Sequence, residues 1–157
     1  MFTGNQIVDV LCELGVTHVI WIPDTTTGSW ERALEACPGF QLIRVCREGE
    51  AWPLAGGLLV GGSLPLVLIQ NTGFFESGDS MRNIVFDLGL PVFAVVGARN
   101  WQTEQSSDTA RRFTLPVVKA WDVEFAFITC AAERGKLAEH FHQCRTANRA
   151  GILLLAE

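Results

Sequence analysis

The sequence predicts a three-layer α/β/α domain with a mostly parallel central sheet. Several segments are nearly continuous runs of valine, isoleucine and leucine, and they alternate along the chain with helix-like segments. Such runs are typical of strands that are buried on both faces, and the intervening helices supply the cover. With 157 residues, 48% of them apolar, the chain is expected to form a single domain over residues 1–157.

The first element predicted along the chain is a helix. Thr3 followed by Gln6 is a capping-box pattern, and apolar residues then recur at helical spacing until Gly15. Residues 17–22 are rich in β-branched and aromatic side chains, which indicates a strand. Residues 29–36 begin with serine, a favourable N-cap, and indicate a short helix.

The following segments continue the alternation of strand and helix. Residues 40–46 and 65–70 indicate strands, and residues 50–61 between them indicate a helix. Pro53 has no N–H to donate and is comfortable in a helix only within the first turn. The helix is therefore expected to begin near Glu50.

The second half of the chain contains one long polar segment among its predicted elements. Residues 80–88 and 130–144 indicate helices, and residues 91–97 and 151–156 indicate buried strands. Residues 98–113 are polar and about as long as uncovered loops usually become, and such loops tend to be functional. This segment is predicted to be a lid or an interface loop.

Composition argues against two classes of partner. The formal net charge is −5 and the cations are scattered, so no nucleic-acid partner is expected. The first residues lack the basic and apolar regions of a signal peptide, and no apolar stretch is long enough to span a bilayer. We therefore expect a cytoplasmic protein with no membrane segment.

The cysteines and histidines form no recognisable metal or disulfide pattern. The five cysteines are widely spaced without a C-x-x-C pair, and most are predicted to be buried thiols. His140 and His142 are two residues apart and do not share a helical face. No metal site is predicted in this chain.

Candidate site residues follow the predicted strands. In parallel sheets, ligands bind beyond the carboxyl ends of the strands. Glu48 directly follows the strand 40–46, so its side chain can enter that crevice, whereas Glu50 fits a first-turn acid facing the helix dipole. The alternative is that both acids merely start the helix. The same rule selects three further segments: residues 23–24, 70–73 and 97–101.

Other features have weaker interpretations. The glycine-rich run at residues 56–62 lacks the spacing of a phosphate-binding loop. Gly56 and Gly57 are instead expected to let the helix pack closely on another element, including one across a subunit interface. The arginines of the polar segment either hold an anionic substrate group or are solvated surface charges. They are Arg99, Arg111 and Arg112.

Three motifs in order give the sequence a resemblance to a known family. One strand ends in Pro-Asp at residues 23–24, the next in Arg-Glu-Gly at 47–49, and a third in Gln-Asn-Thr-Gly at 70–73. Over residues 4–101 this series resembles the pyrimidine-binding domain of thiamine-diphosphate enzymes. Within that family it is most similar to the α subunits of sulfopyruvate decarboxylases and to phosphonopyruvate decarboxylases.

The resemblance implies roles for particular residues. Glu48 is implied to be the catalytic glutamate that hydrogen-bonds N1′ of the cofactor's aminopyrimidine ring. The implied cofactor-binding residues are Pro23, Glu48, Asn71, Thr72 and Gly73. Asp24 and Arg99 are implied to contact the substrate, an anionic 2-oxo acid that loses carbon dioxide to give an aldehyde.

The resemblance also implies a missing half of the active site. In the family, a second domain binds the diphosphate through Mg²⁺ with a Gly-Asp-Gly or Gly-Asp-Ser motif after an apolar strand. Residues 78–80 imitate this motif, but residues 70–77 before them are not such a strand, and Asn100 follows too soon. A partner subunit is expected to carry the diphosphate and Mg²⁺ half in an α2β2 or larger hetero-oligomer.

Two departures from the family pattern leave the activity open. Arg47 stands where the family has asparagine, and residues 25–30 differ from the usual continuation. Arg47 is expected to pair with Glu48 or with Glu50. A carboligase or lyase of other specificity, or a non-catalytic regulatory module with this fold, therefore remains an alternative to a sulfopyruvate decarboxylase-like subunit.

Overall fold

The computed structural model describes residues 1–157 and contains a six-stranded parallel sheet. The strands are β1 (His18–Trp21), β2 (Gln41–Arg44), β3 (Pro65–Gln70), β4 (Phe93–Ala98), β5 (Glu124–Ile128) and β6 (Gly151–Ala156). The helices are α1 (Gly4–Glu13), α2 (Glu31–Ala36), α3 (Glu48–Val60), α4 (Asn71–Glu76), α5 (Gly78–Arg82), α6 (Thr109–Ala120) and α7 (Lys136–Thr146). The strand order is β2-β1-β3-β4-β6-β5. The predicted fold class is confirmed.

Two apolar clusters lie on opposite faces of the sheet and define the three layers. Successive residues of a strand point to opposite faces, so Leu66 and Leu68 of β3 face α1, α2 and α7. Val67 and Ile69 of the same strand join the second cluster, with residues of α3 to α6. The two clusters contain 20 and 16 buried residues, so both faces of the sheet are covered.

All strands run in the same direction, so their carboxyl ends share one edge of the sheet. Trp21, at the end of β1, pairs with Arg44 of β2 and with Leu68 of β3. Gln70, at the end of β3, pairs with Gly97 of β4. This register brings the segments that follow β1 to β4 to one edge, hereafter the carboxyl edge.

The polar segment at residues 98–113 is shorter as a loop than predicted, because helix α6 begins at Thr109. Asp108 accepts the Ala110 N–H as the N-cap, and buried Ala110, Thr114 and Val118 repeat every four residues. Pro116 lies inside α6 and obscured this pattern. The strand β5 was also absent from the predicted elements.

The elements on either side of β3 also differ from the prediction. Helix α3 begins at Glu48 and not near Glu50, because side chains of Glu50 and Glu76 satisfy backbone donors at its start. Residues 71–76, for which no element was predicted, form the short helix α4 directly after β3. Glu48 is therefore the first residue of a helix.

The predicted burial of most cysteines is wrong. Cys144 is buried, Cys37 is half-buried, and the other three are exposed because they lie on outer helical faces or in turns. The glycines of α3 also differ from each other. Gly56 packs against Ile84 and Leu90, as the expected close packing requires, whereas Gly57 faces open space. No helix has the length and apolar character needed to cross a membrane.

Candidate functional site

The candidate site lies at the carboxyl edge, where the first residue of α3 meets the start of α4. Glu48 is half-buried, and its side chain lies against the backbone of Gly73. A Cβ atom on Gly73 would lie 2.5 Å from Glu48 Oε1 and 2.7 Å from Glu48 Cδ, far inside normal contact. The Glu48 carboxylate can occupy this position only because residue 73 is a glycine.

The Glu48 carboxylate has no partner within the chain. It forms no ion pair and accepts no hydrogen bond, whereas Glu50 accepts two backbone N–H groups and Glu76 both accepts hydrogen bonds and pairs with Arg47. A half-buried carboxylate normally finds a donor, because its desolvation is costly. Glu48 therefore offers a free acceptor, or a free proton donor when protonated, at the edge where parallel sheets bind ligands.

Glu50 takes the role of starting the helix. Its Oε2 atom accepts the backbone N–H groups of Cys46 at 3.0 Å and of Arg47 at 3.3 Å. These contacts pull the side chain back over the turn that precedes α3, and the acid also complements the helix dipole. The interpretation of Glu50 as a helix-start residue is confirmed.

Glu76, which was not among the predicted site residues, binds the residues on either side of Glu48. Its Oε1 atom accepts from Arg47 Nη2 at 2.5 Å, and its Oε2 atom accepts the Gly49 N–H at 2.8 Å. The Arg47 hydrogen bond, with that of Gly49, lowers the pKa of Glu76. The expected pairing of Arg47 with Glu48 or Glu50 is wrong, because Glu76 of α4 takes the guanidinium.

Asp24, predicted to contact substrate, closes a turn after β1. Its carboxylate accepts the N–H groups of Thr26 and Thr27 at 2.7 and 2.9 Å, and the Thr27 hydroxyl at 2.8 Å. Burial raises the pKa of Asp24, opposed by the hydrogen bonds of Thr27 and Thr26. Pro23 beside it is exposed at the edge, while the Asp24 oxygens are committed to the turn.

The segment after β3 is built largely from internal hydrogen bonds. Asn71 is fully buried, and its amide donates to Thr114 Oγ1 of α6 at 2.9 Å. The Thr72 hydroxyl donates to Gln70 Oε1 at 3.2 Å, and Gln70 donates to Thr25 and Thr26. Among the predicted cofactor residues of this segment, Gly73 lies against the Glu48 side chain.

Two arginines of the polar segment, Arg99 and Arg111, donate hydrogen bonds within the chain. Arg99 Nε donates to Asp108 Oδ2 at 2.9 Å, and with the Ala110 N–H and Asn100 it lowers the pKa of Asp108 to about 2. Arg111 donates to the carbonyls of Trp101 and Glu104. This geometry favours a structural role for Arg99 and Arg111 over the binding of an anion.

The motif at residues 78–80 lies in helix α5 and does not follow an apolar strand. Asp79 pairs with Arg82, whereas Asn100 donates to Asp108, so these two side chains belong to separate networks. No group of three or more histidine, cysteine, aspartate or glutamate side chains is placed to hold a metal ion.

Comparison with proteins of known structure gives a match that covers the whole sheet and its helices. No protein-family model matches the chain. A protein from Mycobacterium smegmatis, described as a thiamin diphosphate-dependent enzyme, superposes with a TM-score of 0.73 at 19% identity, over 99% of this chain and 30% of that one. The chain has the fold of a thiamine-diphosphate-enzyme domain.

A comparison of sequences points to the same group of enzymes as the comparison of folds. Phosphonopyruvate decarboxylase from Streptomyces viridochromogenes is 23% identical over 150 residues. The match covers 94% of this chain and 37% of the relative, so the chain spans little more than a third of the relative's length. The resemblance to pyrimidine-binding domains of thiamine-diphosphate enzymes is confirmed.

Proposed function

We propose that this chain supplies the pyrimidine-binding half of a thiamine-diphosphate-dependent decarboxylase. The observation that carries the proposal is the unpartnered Glu48 carboxylate, seated on Gly73 at the carboxyl edge of a sheet with this fold. Its neighbours Glu50 and Glu76 accept the hydrogen bonds of the nearby backbone N–H groups and of Arg47. The Glu48 carboxylate is therefore available to bind a ligand.

Glu48 would hold a proton at N1′ of the aminopyrimidine ring. The bound cofactor supplies a thiazolium ring that accepts the electron pair released when carbon dioxide leaves a 2-oxo acid. The contribution of this chain is to place one carboxyl group at a fixed position, since the first turn of α3 is tied to α4 through Glu76. Gly73 permits close approach of the backbone beside that carboxyl group.

Pro23, Asn71 and Thr72 would complete the cofactor-binding surface in different ways. Pro23 is exposed and can offer its ring to a flat ligand. Asn71 contributes indirectly, because its buried amide donates to Thr114 and so fixes the start of α4 against α6. Thr72 is half-buried beside Gly73, and its hydroxyl is oriented by Gln70.

The proposed substrate is an anionic 2-oxo acid of the sulfopyruvate type. The support is the relative's name, since phosphonopyruvate is a 2-oxo acid with a second anionic group. The resemblance implies that Asp24 and Arg99 contact the substrate, but the Asp24 oxygens are committed to a turn and Arg99 pairs with Asp108. We therefore propose that the cation that binds the second anionic group comes from the partner.

The proposed partner is a second subunit that carries the diphosphate and Mg²⁺ half of the site, in an α2β2 or larger assembly. The chain offers no cluster of metal ligands, and it matches 37% of its relative. Helix α3 also presents an uncovered apolar face beyond Glu48. Its exposed residues are Pro53, Gly57 and Val60.

The test is an assay of the chain purified in complex with its partner from its own host. Decarboxylation of sulfopyruvate or phosphonopyruvate should require both thiamine diphosphate and Mg²⁺, and Glu48→Gln should abolish it. Glu50→Gln is the matched control, because Glu50 is engaged with the backbone. Undiminished turnover by the Glu48→Gln complex would contradict the proposal. A complex that binds no thiamine diphosphate would favour a regulatory module.

A further inference from the structure

Two cysteines, Cys12 and Cys37, lie side by side on the surface. Cys12 is near the end of α1 and Cys37 directly follows α2, yet their Sγ atoms are 3.5 Å apart. Neither takes part in the candidate site, which is at the opposite edge of the sheet. Cys46 and Cys130 are also exposed, but neither sulfur contacts another cysteine. The contact therefore distinguishes Cys12 and Cys37 from the other exposed thiols.

Gly39 creates the space that brings the sulfur atoms together. A Cβ atom on Gly39 would lie 2.6 Å from Cys12 Sγ and 3.4 Å from Cys37 Sγ, so a larger residue would displace the Cys12 sulfur. The Gly39 N–H also donates to Cys37 Sγ at 3.3 Å. A backbone donor at this sulfur can stabilise the negative charge that a cysteine sulfur carries as it attacks.

We propose that Cys12 and Cys37 are an oxidation-sensitive dithiol that closes to an intramolecular disulfide. The sulfur atoms need to approach from 3.5 Å to about 2.05 Å, a movement that rotation of two partly exposed side chains can supply. Cys37 is the attacking residue because of the Gly39 N–H, and Cys12 is the resolving residue. The inference is independent of the proposed decarboxylase activity.

The oxidant we propose is hydrogen peroxide or an organic peroxide. The Cys37 thiolate attacks one peroxide oxygen, forming a sulfenic acid and releasing hydroxide, or alkoxide from an organic peroxide. The Cys12 sulfur then attacks Cys37 Sγ, which forms the S–S bond and expels the sulfenic oxygen as water. The two sulfurs together lose two electrons and two protons. With hydrogen peroxide the products are the disulfide and two molecules of water.

The disulfide would join the end of α1 to the segment that leads into β2. That strand lies at one edge of the sheet, next to β1 alone. Closing a loop between positions 12 and 37 reduces the conformational freedom of the unfolded chain. The oxidised protein should therefore melt several degrees higher than the reduced protein, and a dithiol reductant should reverse the shift.

The experiment treats the reduced chain with one equivalent of hydrogen peroxide and counts thiols after denaturation. The five free thiols should fall to three, the mass should fall by two hydrogen atoms, and peptide mapping should link position 12 to position 37. Cys12→Ser should form no intramolecular disulfide. Cys130→Ser, which removes an unpaired exposed thiol, should still lose two thiols.

Gly39→Ala provides a second variant that keeps every cysteine. It should slow formation of the disulfide while the reduced protein retains a cooperative thermal transition. Oxidation of wild type that leaves positions 12 and 37 unlinked would overturn the proposal. Cross-linking that yields only covalent dimers, increasing with protein concentration, would overturn it equally.

Discussion

Helices α3 and α6 both start from the carboxyl edge of the sheet, and at the start of each an arginine pairs with an acid. At α6 one acid has both tasks: Asp108 caps the helix and also accepts hydrogen bonds from Arg99 and Asn100. At α3 the same tasks are divided between Glu50 and Glu76, which serve the backbone and Arg47. Glu48 is left with none of them.

The difference shows how a structural acid can be distinguished from a candidate catalytic one. Both kinds occur at helix starts, since acids there are stabilised by the exposed N–H groups. A structural acid is saturated by donors of its own chain, and at Asp108 these donors hold the pKa low. An acid without internal donors keeps its hydrogen-bonding capacity for a ligand. The start of α3 has both kinds within three residues.

The largest expected effect comes from replacing the carboxyl group of Glu48. Glu48→Gln should lower decarboxylation by the assembled enzyme by at least about a hundredfold, because general acid–base groups contribute roughly 10²–10⁴ in rate. Thermal unfolding should barely change, since Glu48 makes no hydrogen bond within the chain. A large loss of stability would instead show that Glu48 is a structural acid like Asp108.

Gly73→Ala should disturb the position of Glu48 and the fold together. The added methyl group overlaps the Glu48 side chain, and overpacking of this kind costs about 1–3 kcal/mol. Urea unfolding and the activity of the complex should both decline. Gly57→Ala is the matched control, because its Cβ meets open space in α3 and should stabilise the isolated chain by roughly 0.5–1 kcal/mol.

Asp108→Asn should weaken α6 in a pH-dependent way. The native pKa of Asp108 is lowered from 3.8 to about 2, so its ionised form stabilises the fold above about pH 4. That contribution is lost as the pH falls from about 4 to about 2. Thermal melts at pH 7 should show the variant a few degrees below wild type, and the gap should shrink at pH 3. A gap independent of pH would contradict the ion-pair explanation.

The smallest effect is expected for Arg47→Ala. Although Arg47 pairs with Glu76, its side chain is 73% exposed, and exposed ion pairs contribute little to stability. The melting temperature should change by roughly one or two degrees. Since Glu76 keeps the Gly49 N–H, the complex should retain most of its activity. A loss of activity as large as that of Glu48→Gln would show that Arg47 itself acts at the site.

Local patterns sufficed for much of the fold. The apolar runs of β3 and β6 were predicted at residues 65–70 and 151–156, because strands buried on both faces need apolar residues at every position. Helix α6 was missed because Pro116 interrupts its pattern, and α4 because it is too short to show a helical period. The burial of the cysteines was mispredicted, since burial depends on how outer helices pack.

The sequence by itself determined the parallel sheet and the position of Glu48 in the segment that follows the second strand, because strand patterns and chain order are local properties. Only the tertiary structure decided which acid is free. The contacts of Glu76 with Arg47 and Gly49 span 29 and 27 positions, and Gly73 admits Glu48 only once α4 packs beside α3. Side chains so far apart in sequence meet only after the sheet has set the register of its strands, and no local pattern encodes that meeting.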